Sequence, residues 1–309
     1  MRKILLASTA LVAMTSVSAM ASDVTISGSI DAKYSMVDDD GVTTDTDSFA
    51  QTSDIDISFS TTTDSGLTMS LATGFTDGDT DDSVFKVSGD FGTIMIEDGG
   101  TDQDDSDAVE SMDIDVDGYT NDEGATGTAT YAGGFSATGA DSISYTLPAM
   151  AEGLSVAVAL SDGTADAKTT AYGLTYSGST GSVGFKLAAA ASSADNGTAE
   201  TDKTHYGLEI TSGAITLGLA SNGQDKSDDT KDYSSSEMGI KYAVSDVLTI
   251  AAMNRSAETG TASEDYEMTA YGATYTIAPG LTTSVTSSDV DVSATDKDSR
   301  IVIALEASF

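Results

Sequence analysis

Asp23-Val24-Thr25-Ile26-Ser27-Gly28-Ser29-Ile30-Asp31-Ala32-Lys33-Tyr34-Ser35-Met36 is the stretch that decides the fold. Val24, Ile26, Gly28, Ile30, Ala32, Tyr34 and Met36 alternate without a break with Thr25, Ser27, Ser29, Asp31, Lys33 and Ser35. That is the period of a strand with one apolar and one polar face, and no helix reproduces it. The alternation returns along the whole chain. It is seen at Ile55–Phe59, Leu67–Phe75, Phe85–Val87, Ile94–Ile96, Ile143–Leu147, Leu154–Leu160, Tyr172–Tyr176 and Val183–Ala189. Beyond these come Tyr206–Ile210, Ile215–Leu219, Met238–Val244, Leu248–Ala252, Tyr271–Ile277, Leu281–Val285 and Ile301–Phe309, sixteen segments in all. A change of phase is expected near Met268–Ala270, where apolar residues fall on the polar face.

The links between segments alternate in length. Short ones carry turn residues: Asp64-Ser65-Gly66, Asp90-Phe91-Gly92, Glu152-Gly153, Thr180-Gly181, Ser212-Gly213, Ser245-Asp246 and Pro279-Gly280. Between them lie longer acidic stretches at 37–53, 76–83, 97–141, 161–170, 190–204, 220–236, 255–266 and 287–299. Seven turns and eight loops are what sixteen up-and-down strands require, and one tight rim opposite one long rim is the asymmetry of an outer-membrane barrel. The alternate face is Ser, Thr, Gly, Ala, Asp, Glu and Lys rather than the large side chains that would fill a sandwich core. In lipid, strands leave no backbone group unsatisfied only if the sheet closes. The fold expected is therefore all-β, a closed antiparallel transmembrane barrel of sixteen strands.

Met1-Arg2-Lys3, an apolar stretch over Ile4–Val17 and Ala19-Met20-Ala21 form a secretory signal at 1–21, leaving a barrel domain at 22–309. No later run is long and apolar enough for a membrane helix. The chain carries 13 Lys and Arg against 50 Asp and Glu, net charge −37. With Arg2 and Lys3 removed, 11 basic residues face the same 50 acids, net −39. No basic patch exists to neutralise phosphates, so nucleic acid is not a partner. The absence of Cys removes thiolate metal sites, disulfides and a Cys nucleophile.

Taken together, these features resemble the Gram-negative general porins, in particular the trimeric, sixteen-stranded ones. Val24–Ala32 looks like their first strand, Gly89-Asp90-Phe91-Gly92-Thr93-Ile94-Met95-Ile96 like the turn and strand that enter the constriction loop, and Ser142–Pro148 with Gly153–Val156 like the strand leaving it. The terminal Phe309 is similar to the family's C-terminal aromatic, read by the barrel-assembly machinery. The resemblance implies an outer-membrane homotrimer surrounded by lipid, passing small hydrophilic solutes and ions, with no cofactor required. Without Trp, the aromatic girdles would be built from Tyr and Phe.

The segment 97–141 is the candidate constriction loop. Glu97, Asp98, Asp102, Asp104, Asp105, Asp107, Glu110, Asp113, Asp115, Asp117, Asp122 and Glu123 lie in it, and not one Lys or Arg. Folded into a lumen, these carboxylates would favour cations; outside it they would form a solvated acidic loop. Asp113-Ile114-Asp115-Val116-Asp117-Gly118 places carboxylates at positions 1, 3 and 5 and glycine at 6 of an EF-hand-like loop, although position 12 is Gly124. Calcium at Asp113, Asp115 and Asp117 is set against simple alternation in an extended acidic segment. Lys33 and Lys86 occupy lumen-phase positions of early strands, and Lys241 and Arg255 fall on the polar phase later. The lone His205 has no nucleophile motif beside it, so no catalytic constellation appears. Ala188–Ala191 suits either barrel–barrel packing or a lipid face. The competing readings are an exported acidic, calcium-binding adhesin-like β protein and, with least support, a secreted hydrolase.

Overall fold

The structure, a computed structural model, describes residues 23–39, 46–98, 141–162, 168–195, 200–227, 232–259, 265–293 and 296–309. The strands are β1 (Asp23–Asp39), β2 (Thr46–Thr62), β3 (Thr68–Thr76), β4 (Asp79–Gly89), β5 (Gly92–Asp98), β6 (Asp141–Thr146), β7 (Leu154–Asp162) and β8 (Lys168–Thr180). They continue as β9 (Val183–Asp195), β10 (Glu200–Ser212), β11 (Ile215–Lys226), β12 (Tyr233–Ser245), β13 (Leu248–Thr259), β14 (Tyr266–Ala278), β15 (Leu281–Ser293) and β16 (Asp296–Ser308). Each pairs with its sequence neighbours, and β1 pairs antiparallel with β16, closing the barrel. Every alternating segment of the sequence falls on a strand, with only Leu67, Leu147 and Phe309 standing one residue outside. Most strands run on past the apolar segment into polar residues, because a ladder needs only backbone partners.

Register fixes the shape. The row of cross-strand partners leaving Phe49 runs through Tyr34, Ile303, Val285, Ala273, Ile250, Tyr242, Ile215, Ser212 and Val183 to Thr180. The row leaving Phe59 the other way runs through Leu71, Phe85, Ile96, Ile143 and Leu160 to Thr170. Phe49 and Phe59 are ten residues apart on β2, and Thr170 and Thr180 ten apart on β8, so the barrel staggers by twenty residues per circuit. Sixteen strands with that stagger tilt by roughly 42° and stand on a radius of roughly 16 Å, too wide for side chains to fill.

The apolar phase points outward. Leu217 and Leu219 on β11 are 46% and 49% exposed, while Ala220 between the next pair is buried. Tyr34, Tyr172, Tyr206 and Tyr271 lie toward the long-link ends of their strands; Tyr176, Phe185, Tyr242, Tyr275 and Phe309 lie near the turns. The Tyr176 and Phe185 rings meet at 5.6 Å. Closure ends on Phe309, whose N–H donates to Gly28 O at 3.0 Å while its own O accepts from Gly28 N at 3.0 Å. The ring lies over Gly28: a Cβ there would stand 2.8 Å from Phe309 Cζ and 2.8 Å from Asp54 O. Glycine is what admits the terminal ring.

Three expectations change. The link 76–83 is not a long loop: β3 and β4 join through Asp77-Gly78, both with positive φ (53° and 95°). Asp-Gly is a two-residue hairpin signal, masked in the sequence by the surrounding acids. Asp77 N donates to Ser53 O at 2.8 Å and its carboxylate accepts from Ser53 N at 2.8 Å, tying the turn to β2. Glu97 and Asp98, read as loop residues, belong to β5, because the ladder to β4 continues through both. There is no change of phase at Met268–Ala270: the β13–β14 register is continuous, and both residues point inward.

Candidate functional site: the barrel lumen

The inner wall is built from the polar phase of the strands. On β1, Lys33 Nζ lies 2.9 Å from Asp31 Oδ2, with both side chains about one-third exposed. Ser29 Oγ donates to Asp54 Oδ2 of β2 at 3.1 Å, and Arg300 Nε of β16 donates to Ser35 Oγ at 2.7 Å. Lys86 is on the inward phase of β4, between Ser70 and Met95. Both early-strand lysines are therefore on the lumen side, and Lys33 is paired locally with Asp31. Glu97 also points inward and is buried, with Ser142 Oγ at 3.5 Å. Asp98 is placed in β5 by its pairing with Ser83. Asp102, Asp104, Asp105, Asp107, Glu110, Asp113, Asp115 and Asp117 lie outside the described residues, as do the signal segment and the EF-hand-like loop.

A buried polar chain crosses β10 to β13. His205 Nδ1 donates to Asn222 Oδ1 at 2.6 Å, and Asn222 Nδ2 donates to Ser235 Oγ at 3.2 Å and Glu237 Oε1 at 3.4 Å. Arg255 donates to the same carboxylate oxygen through Nε at 2.7 Å and through NH2. The ladder sets the chain: His205 faces Asn222, Asn222 faces Ser235 and Glu237 faces Arg255, while Asn222 reaches Glu237 diagonally. A buried Arg–Glu pair must be hydrogen-bonded to offset its desolvation, and the fork of Arg255 does this. His205 is thus a structural wall residue, and Arg255 a lumen-side cation held by its acid.

Beside the chain is an apolar inner patch of Tyr233, Met253, Ala257, Tyr266, Met268, Ala270 and Val290, with the Tyr233 and Tyr266 hydroxyls 3.2 Å apart. A wholly polar inner face was expected, and this patch departs from it. A second inner patch, Ala159, Ala171, Ala188 and Ala190, shows that Ala188 and Ala190 turn to the lumen while Ala189 and Ala191 turn outward.

Sequence reading missed basic wall residues. Lys186, Lys203, Lys226 and Arg300 occupy inward-phase positions with Lys33, Lys86, Lys241 and Arg255. Their signal was present, since Lys186 stands between Phe185 and Leu187 in β9. Lys186 faces Glu209 across the ladder. Most of the few basic groups are therefore spent on the lumen wall. The outward phase above the apolar belt collects acids, among them Asp202, Asp225, Glu258, Glu267 and Asp289.

The arrangement offers a wide lumen lined by charged and polar groups, and no nucleophile beside a base among the described residues. Among solved structures, the fold is similar to outer-membrane expressed OmpT of Vibrio cholerae, at 13% identity over 95% of this chain and 99% of that one, TM-score 0.69. It is also similar to an anion-selective porin from Comamonas acidovorans, at 17% over 93% and 100%, TM-score 0.66. A mutant of the Rh. blastica porin matches at 18% over 93% and 100%, TM-score 0.61. No curated protein sequence matches the chain. The family model of the Gram-negative porins matches residues 7–295. With the closed barrel and its polar lumen, that match over nearly the whole chain means that the protein belongs to the Gram-negative porins, outer-membrane channel proteins.

Proposed function

We propose that the protein is exported by its N-terminal signal and forms a homotrimeric, non-enzymatic channel through which small hydrophilic solutes and ions diffuse passively, with a preference for cations. The closed sixteen-strand barrel with a stagger of twenty residues carries this reading, because it leaves an open bore lined by Asp, Glu, Lys, Ser and Thr. The cation preference rests on charge. The segment between β5 and β6 holds ten acids and no base, and low-dielectric walls focus such a field on the bore. Glu97, Asp98, Asp102, Asp104, Asp105, Asp107, Glu110, Asp113, Asp115 and Asp117 supply the negative side of the constriction, and Lys33 and Lys86 the opposing cations. The Comamonas protein is described as anion-selective, so the sign is a property to be measured on this chain.

Reversal potential in a planar bilayer under a salt gradient tests it. Cation preference should be strong at low salt and fade toward molar salt, since screening sets in over about 8–10 Å near physiological strength. Changing Asp113, Asp115 and Asp117 together to Asn should lower it more than the same change at Asp225, Asp228 and Asp229. An anion-side reversal potential, or a larger effect at 225–229, overturns the constriction assignment.

A further inference from the structure

The outer wall is not uniformly smooth. A groove of about 540 Å³ crosses β10 to β14 on the lipid-facing side. Its upper edge is the register row from Leu208 to Thr269 and its lower edge the row from Ile210 to Tyr271, in which the small Ala252 leaves a gap between Ile240 and Tyr271; Gly218 and Gly239 lie between the rows. Four inter-strand steps make it about 19 Å long. With strands tilted as above, the groove descends about 13 Å from β14 to β10, roughly half the height of a barrel's apolar band of about 25 Å.

The two ends differ chemically. The low end is Leu208 and Ile210. The high end carries the amide of Asn254, which donates from Nδ2 to Met268 O at 3.1 Å and to Thr269 Oγ1 at 3.2 Å. Asn254 and Thr269 are cross-strand partners on the outward phase, and Tyr271, the next outward residue of β14, is 55% exposed. The next outward residues, Ser236, Ser256 and Glu267, are polar, so this end marks the top of the apolar belt.

We infer that this groove is a lipid site: it seats one acyl chain of an outer-leaflet lipid, with the chain's carbonyl linkage hydrogen-bonded at Asn254, Thr269 and Tyr271. It lies on the face already in contact with the bilayer, runs in the direction an outer-leaflet chain must descend, and has polar groups only where the linkage would fall. It goes beyond solute passage and does not depend on selectivity.

The full-length protein, delipidated in mild detergent, is titrated with lipid A, the acylated anchor of the outer leaflet, in mixed micelles and read by native mass spectrometry. The natural protein should retain one lipid per barrel. Ala252→Phe, which fills the gap in the lower row, should retain at least fivefold less, and Asn254→Leu should weaken retention about threefold. Ala273→Phe, on the same face but outside the groove, should match the natural protein. Ala252→Leu repeats the test with a smaller plug if the Phe variant does not fold, as judged by the heat-modifiable band. Equal retention by Ala252→Phe, an equal loss in Ala273→Phe, or no retained lipid in the natural protein overturns the site. A collapse of Ala252→Phe from oligomer to monomer also overturns it, by making the groove a barrel–barrel contact.

Discussion

Ile303→Lys tests which face of the wall meets lipid. Ile303 lies on the outward phase of β16, 42% exposed, between Tyr34 of β1 and Val285 of β15. It stands six residues from the chain end at Phe309, which at about 2.5 Å of height per tilted residue puts it near the middle of the apolar band. A lysine facing lipid at that depth should cost about 2–4 kcal/mol. Glu306, three residues on, points the other way, into the lumen opposite Asp31. Glu306→Lys replaces one solvated charge with another near a carboxylate and should change stability by less than about 1 kcal/mol. Guanidinium titration of the protein folded in phosphatidylcholine vesicles, followed by heat-modifiable mobility, measures both. A cost of about 3 kcal/mol is a change of more than 100-fold in the folded-to-unfolded ratio, well outside the error of the method. Equal costs for the two variants, or a larger cost for Glu306→Lys, would refute the assignment of faces.

Gly28→Ala should clash with the Phe309 ring and cost about 1–3 kcal/mol. Placed in a Phe309→Ala background it should cost less, and a vesicle-folding double-mutant cycle that showed strict additivity would remove the ring-on-glycine contact. Arg255→Met strands the buried Glu237 carboxylate and should destabilise by about 3–5 kcal/mol, whereas Arg255→Met combined with Glu237→Leu should recover most of the loss. Denaturant titration of the three proteins decides this, and a double variant no better than Arg255→Met would count against a paired role. Asp77→Ala removes the acceptor for Ser53 N and Oγ and the residue suited to positive φ. It should raise amide exchange at Ser53 and at position 77 at least tenfold while leaving exchange near Tyr242 unchanged.

The sequence alone determined the fold class, the strand number and the direction of the apolar face. Those follow from a period of two and from alternating link lengths, which are properties of local residue order; the described strands obey the period, and the link lengths depart from alternation only at Asp77-Gly78 among the described connections. It could not set strand ends. Asp79–Ser83 and Glu97–Asp98 look like loop because they are acidic, yet they are in the ladder because their backbone groups find partners on neighbouring strands. Nor could it group the lumen. Lys186, Lys203 and Arg300 are scattered along the chain, and only the stagger of twenty residues brings rows such as Glu237–Arg255 and His205–Asn222 side by side. The apolar inner patch around Met268 was legible only as a phase conflict, since a residue's neighbours across two strands are not written in its own segment. Tertiary structure decided these points because cross-strand register sets which charge finds its counter-charge, which glycine receives a ring, and where on the outer wall a groove is left open.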